Sequence, residues 1–121
     1  MGKKILLIDD DEELAFLTRE MLEPEGYEVL YAADGLKAIE TANSQKIDLI
    51  LLDIRLPYFS GFWFFNAFRQ KPQTKSVPVI VVSAMSREED VQKAYHMGAA
   101  AYLKKPFRQN DLLEVVQKAL N

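Results

Sequence analysis

Near the start of the chain a short apolar run, Ile5-Leu6-Leu7-Ile8, opens onto Asp9, Asp10 and Asp11, and a second run, Leu49-Ile50-Leu51-Leu52, ends on Asp53. If those runs are neighbouring strands, their acids meet within a few ångströms. Like charges that close raise one another's pKa unless positive charge sits among them. The only base nearby in sequence is Arg55, two residues past Asp53. A hard divalent cation resolves the conflict, and Mg²⁺ suits one or two carboxylates plus phosphate oxygens and water. Asp10 and Asp11 also suit the cap of a following helix. Asp53 has no such alternative, because Ile54-Arg55-Leu56-Pro57 is not a helix start. Two further runs end on Ser83 and on Lys105. Alone, a loop hydroxyl and a solvated lysine explain them. Together with the acids they form a nucleophile, a metal site, a hydroxyl donor and an ammonium, a set able to receive a phosphoryl group.

Such a convergence requires strands that start and stop together. The runs Lys4–Ile8, Tyr27–Tyr31, Asp48–Leu52, Val77–Val82 and Ala100–Leu103 are too short for helices and are bounded by Asp, Pro, Gly or Ser. Between them lie segments of helical period. Leu14, Leu17, Met21 and Leu22 follow Asp11-Glu12-Glu13, and Gly26 stops that helix; Leu36, Ile39 and Ala42 follow Asp34-Gly35. Phe62, Phe65 and Phe68 follow Ser60-Gly61. Ser86 and Glu89 make a capping box, with Val91, Ala94 and Tyr95 on one face before Gly98. Leu112, Val115, Val116, Ala119 and Leu120 form the last stripe. Five strands alternating with five helices imply an α/β fold with a parallel sheet covered on both faces. For five strands the flavodoxin-like, doubly wound (βα)5 order 2-1-3-4-5 is expected, with its switch point between strands 1 and 3, where the acids are.

The chain has 121 residues, 49% of them hydrophobic, which fits one domain over residues 1–121. It has no cysteine, which removes disulfides, thiolate zinc sites and cysteine nucleophiles and fits a reducing cytoplasm. Fifteen basic and eighteen acidic residues give a net charge of −3, so no global basic field draws nucleic acid. No run approaches the ~18 apolar residues of a membrane span, and no signal-peptide core follows Met1. A cytoplasmic location is expected.

The elements Ile8-Asp9-Asp10-Asp11, Leu52-Asp53-Ile54-Arg55-Leu56-Pro57, Gly61, Val82-Ser83-Ala84 and Tyr102-Leu103-Lys104-Lys105-Pro106-Phe107 resemble, in order and spacing, the receiver domain of two-component response regulators, the chemotaxis-receiver-like family. The resemblance spans nearly the whole chain, and the joint occurrence of these elements is specific where any one would be weak. It implies a phosphoacceptor switch that is not an enzyme acting on an external substrate. Asp53 is then the residue that takes a phosphoryl group from a sensor histidine kinase or a histidine phosphotransfer protein. Asp10 and Asp53 hold Mg²⁺ (with Mn²⁺ as a substitute) through their side chains, Arg55 through its backbone carbonyl, and Asp9 through water. Lys105 pairs with the phosphoryl oxygens, and a cis bond precedes Pro106. Ser83 donates to the phosphoryl group, Tyr102 is the aromatic switch, and helix 4, strand 5 and helix 5 present the altered face to a downstream effector protein.

Three other readings compete. Asp9-Asp10-Asp11 contains the Asp-x-Asp of haloacid-dehalogenase-type phosphatases, but only Asp111 and Glu114 follow Lys105 as acids. A constitutive pseudo-receiver would not need the full set of chemical residues. A flavin carrier needs a Ser/Thr/Gly-rich phosphate loop where three acids stand. Within this chain no room is left for a DNA-binding domain after the last helix, so output is expected to pass to another protein. Two features stand apart from the family pattern. Arg55 overlooks the phosphoryl position, where a cation should slow hydrolysis. Trp63 lies off the apolar face of the third helix and Tyr58 in an exposed loop before it, and together they suggest a contact patch for a partner or a second copy in a homodimer. His96, the only histidine, fits a solvated position near a helix end.

Overall fold

The computed structural model describes residues 2–56, 60–84 and 87–121. Tyr58 and Ser86, and with them half of the suggested contact patch and the capping box, lie outside the described residues.

The strands are β1 (Lys4–Ile8), β2 (Glu28–Ala32), β3 (Leu49–Leu52), β4 (Val79–Ser83) and β5 (Ala101–Lys104). They form one sheet in the order β2-β1-β3-β4-β5, every pair parallel. The helices are α1 (Glu12–Leu22), α2 (Gly35–Ser44), α3 (Gly61–Gln70), α4 (Glu88–His96) and α5 (Gln109–Leu120), with a 3₁₀ turn at Glu23–Glu25. Alternation along each strand divides the core in two. Leu6, Ile8, Ile50, Leu52, Val79 and Val81 face α2, α3 and α4 through Ala38, Ala42, Phe64, Phe65, Phe68 and Ala94. Ile5, Leu7, Leu49, Leu51, Ile80 and Val82 face α1 and α5 through Ala15, Leu22, Leu112 and Val116. This is the doubly wound fold the alternating pattern implied. Among the described residues no helix is long and apolar enough to cross a membrane.

Helix starts follow local chemistry. The Asp11 carboxylate accepts the Leu14 N–H (3.1 Å), Asp34 accepts from Lys37 (2.9 Å), and the Ser60 hydroxyl accepts from Phe62 (3.1 Å). Arg87 occupies the residue before α4, and its guanidinium bonds Asp90 at 3.0 Å instead of capping the backbone. Gly26 and Gly98 terminate their segments with φ of 94° and 100°, a conformation other residues adopt at a cost.

The helix faces depart from the expected stripes in a consistent way. On α1, α2 and α4 small residues take much of the space against the sheet, and several large ones are displaced outward. On α1, Ala15, Thr18 and Leu22 are buried, while Leu17 is 52% exposed. On α2, Gly35, Ala38 and Ala42 are buried and Leu36 is 68% exposed. The cause is visible at Gly35, where a Cβ would overlap the Phe64 ring. Phe64 thus joins Phe65 and Phe68 in the core, each side chain contributing about 2–3 kcal/mol by burial. Phe62, expected inside, is only partly buried beneath the Lys93 ammonium, 4.6 Å from its ring centre. On α4, Tyr95 is exposed and Asp90 buried.

Candidate functional site

Strand register delivers the acids. Ile8 pairs with Leu52, so the next residue of each strand emerges side by side at the carboxyl edge. The Asp53 N–H donates to the Ile8 carbonyl (2.9 Å), and the Asp9 N–H to Ala32 (3.2 Å). Asp9 and Asp53 are buried and Asp10 is exposed, and each offers an oxygen to a cluster whose atoms all lie within 4.8 Å of one another. Asp11 is drawn off as the α1 cap, whereas no hydrogen bond holds the Asp10 carboxylate among the described residues. The cap role, open to either residue in sequence, thus falls to Asp11.

The compensating charge is Lys105, carried in from β5. Its Nζ lies 2.7 Å from Asp9 Oδ2 and 2.8 Å from Asp53 Oδ2, all three side chains nearly buried. The Lys105 N–H donates to the Ser83 carbonyl (2.9 Å), continuing the β4–β5 ladder, and the Lys105–Pro106 bond is cis. The remaining oxygens accept backbone donors, Asp9 Oδ1 from Asp11 (2.9 Å) and Asp53 Oδ1 from Arg55 (2.8 Å). One ammonium between two buried carboxylates leaves the cluster negative. Burial raises the Asp53 pKa, and the bonds from Lys105 and Arg55 only partly offset it. Burial would lower the Lys105 pKa, but Asp53 and Asp9 outweigh it, so that pKa lies above the usual lysine value. Repulsion by Asp9 is a lesser cause at Asp53, so desolvation dominates where mutual repulsion was expected.

A cleft of about 550 Å³ opens over the cluster, lined by Asp9, Asp10, Asp11, Asp53, Arg55, Leu56, Ala84 and Lys105. Arg55 is exposed at its rim. Ser83 is at the neighbouring strand end, but its fully buried hydroxyl shares a hydrogen bond with Tyr102, and Ala84 lines the cleft in its place. Burial raises the Tyr102 pKa, with Asp90 and Asp53 adding to the shift against the Ser83 bond. Trp63 is 54% exposed and stands edge-on to Phe64, outside this cleft. His96 is exposed in the last turn of α4.

Gly61 sets the wall beside Asp53. Its N–H donates to the Ile54 carbonyl (2.9 Å), and a Cβ there would overlap the Ile54 Cα and the Asp53 carbonyl oxygen. Only glycine lets α3 begin against the residue that carries the carboxylate. Sequence reading missed one residue at the site, Tyr31. It pairs with Leu7 across β1–β2, and its hydroxyl donates to the Asp9 carbonyl at 2.8 Å. Burial and the surrounding acids Glu12, Asp9, Asp10 and Asp11 raise its pKa. A tyrosine one residue from the carboxyl end of the strand beside β1 was the available signal.

A parallel sheet in this order, with an acid cluster and a lysine at its switch point, defines a flavodoxin-like module whose strand-end carboxylates could hold a cation. It does not suit an anionic flavin phosphate. Asp111 and Glu114 lie exposed on α5, leaving the phosphatase reading without its second acidic pair. Comparison with known proteins gives the family: the response regulator receiver domain matches residues 5–117, and the chain belongs to it. The chain is 41% identical over 117 residues to the transcriptional regulatory protein CpxR of Escherichia coli, covering 97% of this chain and 49% of CpxR. It therefore spans about half the length of that relative. The chemotaxis protein CheY4 of Vibrio cholerae superposes with a TM-score of 0.93 at 32% identity, covering 99% of this chain and all of CheY4. The receiver domain of the sensor histidine kinase PA1611 of Pseudomonas aeruginosa, described with a magnesium ion coordinated in its active-site cleft, gives 0.90 at 32% identity, covering 99% and 98%.

Proposed function

We propose that this receiver domain, acting as one unit over residues 1–121, is switched by phosphorylation of Asp53. The observation that carries the reading is the Asp9–Lys105–Asp53 arrangement beside an exposed Asp10 that no side-chain hydrogen bond holds among the described residues. Three acids that close around a single lysine have a donor set suited to a hard divalent cation. Asp10 and Asp53 would hold Mg²⁺, or Mn²⁺ in its place, through their side chains, Arg55 through its carbonyl and Asp9 through water. When bound, the ion supplies positive charge to the phosphoryl oxygens.

The chain's own residues do the rest. The Arg55 N–H holds one Asp53 oxygen and Lys105 the other, fixing the carboxylate's orientation at the cleft floor. A carboxylate oxygen attacks the phosphorus of a phosphohistidine; the O–P bond forms as the N–P bond breaks, and the departing imidazole takes up a proton. The product is an acyl phosphate with roughly two negative charges and three acceptor oxygens. Lys105 can turn from Asp53 to those oxygens while still paired with Asp9. Ser83 becomes a donor once its hydroxyl leaves Tyr102, and that exchange links the site to β5. The face formed by α4, β5 and α5 then changes its population of two arrangements and meets a downstream effector protein. The phosphodonor would be a sensor histidine kinase or a histidine phosphotransfer protein. The domain thus assists its own phosphorylation and dephosphorylation without turning over another substrate.

The test is incubation with acetyl phosphate and Mg²⁺, scoring an acid-stable, base-labile phosphoryl adduct. Labelling that needs the metal and disappears in Asp53→Asn supports the reading. Labelling that persists in Asp53→Asn, or no labelling of a folded wild type, overturns it.

A further inference from the structure

Asp10 is the exposed acid of the cluster, yet its main chain is held on both sides. On its amino side, the carbonyl of the Asp9–Asp10 peptide accepts the Tyr31 hydroxyl at 2.8 Å, and the Asp9 N–H is paired to Ala32 at 3.2 Å. On its carboxyl side, the Asp11 N–H donates to Asp9 Oδ1 at 2.9 Å, and Asp11 itself caps α1. The Tyr31 ring packs with the core that includes Leu7, its partner in the β1–β2 register, so the hydroxyl is delivered from a rigid base. No other side chain among the described residues bonds that carbonyl.

We infer that Tyr31 is a positioning residue for the cation site: its hydroxyl fixes the Asp9–Asp10 peptide so that Asp10 points into the cleft before any ion arrives. This rests on the metal role given above to Asp10. A free peptide would rotate and spread the Asp10 carboxylate over many directions, and the entropy of gathering it would be taken from ion binding. With the peptide held, that cost is met during folding. The hydroxyl touches neither the ion nor the phosphoryl group and acts only through the backbone.

The experiment compares Tyr31→Phe with wild type by calorimetric titration with Mg²⁺ alone, and by melting with and without the ion. The substitution keeps the ring and its packing and removes one hydrogen bond. Mg²⁺ affinity should fall by roughly three- to tenfold, the equivalent of a hydrogen bond of ~0.6–1.4 kcal/mol. The rise in Tm produced by the ion should shrink, whereas a merely structural role would lower both melts equally and leave that rise intact. Tyr27→Phe, a hydroxyl deletion away from the cluster, should bind Mg²⁺ as wild type does. Wild-type affinity in a folded Tyr31→Phe overturns the inference and leaves the Asp53 reading standing. Absence of Mg²⁺ binding by wild type itself overturns both.

Discussion

Neutralising Asp53 should make the metal-free protein more stable, though it removes an ion pair. The ammonium of Lys105 lies 2.8 Å from Asp53 and 2.7 Å from Asp9, so the cluster holds two buried negative charges against one positive. Two carboxylates within 4.8 Å repel by about 3 kcal/mol at an effective dielectric of ~20. Dehydrating a carboxylate adds a cost of several kcal/mol. Against this, Asp53→Asn gives up a charged hydrogen bond worth about 1.5–3 kcal/mol. Lys105 keeps Asp9 as its partner, so no charge is stranded. The raised Asp53 pKa shows which side prevails: its environment disfavours the ionised form. The gains exceed the loss, so a net gain of at least about 1 kcal/mol follows, or a Tm higher by roughly 3–6 °C or more. The pH dependence has a definite sign. Because the native pKa is raised, the stabilisation linked to Asp53 is complete below the ordinary aspartate range and is lost as pH climbs through the native value. Urea unfolding followed by circular dichroism in EDTA, at about pH 4 and about pH 8, should show the variant's advantage growing toward the higher pH. Adding Mg²⁺ should reverse the order, stabilising wild type alone by mass action. A variant less stable than wild type in EDTA at the higher pH would refute the reasoning.

Gly61→Ala should cost about 2–3 kcal/mol, because its Cβ would meet backbone at Ile54 and Asp53, and it should weaken Mg²⁺ binding as the wall shifts; denaturant titration and calorimetry check both. Arg55→Ala should shorten the phosphoryl half-life by roughly two- to tenfold, the span of a wet cation–anion contact of ~0.5–1.4 kcal/mol, and an unchanged or longer half-life in a dephosphorylation time course ends that idea. Trp63→Glu should cost little stability beyond the edge contact with Phe64, since the side chain is 54% exposed, while weakening association with a partner or a second copy; light scattering and partner pull-downs in which every interaction stays intact would show that the patch has no such role.

What could be read in the sequence, and what could not, divides along physical lines. The apolar runs ending on Asp9, Asp53 and Ser83 are strands because a sheet covered on both faces needs residues apolar on both sides, and that signal is local. Strand order followed from crossover handedness and the commonest layout for five strands, and it brings Asp9 and Asp53 together through the Ile8–Leu52 register. Helix faces were less legible. Leu17, Leu36 and Tyr95 have the hydrophobicity of core residues, but inward space beside the sheet went to Ala15, Ala38 and Ala94. Hydropathy alone does not report that volume limit. Lys105 as the counter-charge of the acid cluster could not be read near the acids, since it lies 96 and 52 residues from its two partners. Tyr31 was missed because its bond is to a backbone carbonyl, which carries no residue signature.

The central claim is that one particular carboxylate takes the phosphoryl group. Its most direct measurement is borohydride reduction of the acetyl-phosphate-treated protein, which turns a phosphorylated aspartate into homoserine, followed by peptide sequencing by mass spectrometry. Homoserine at position 53 alone, and only where Mg²⁺ was present, is the predicted result. Homoserine at position 9 or 10, or an unreduced chain after metal and donor in excess, would contradict it.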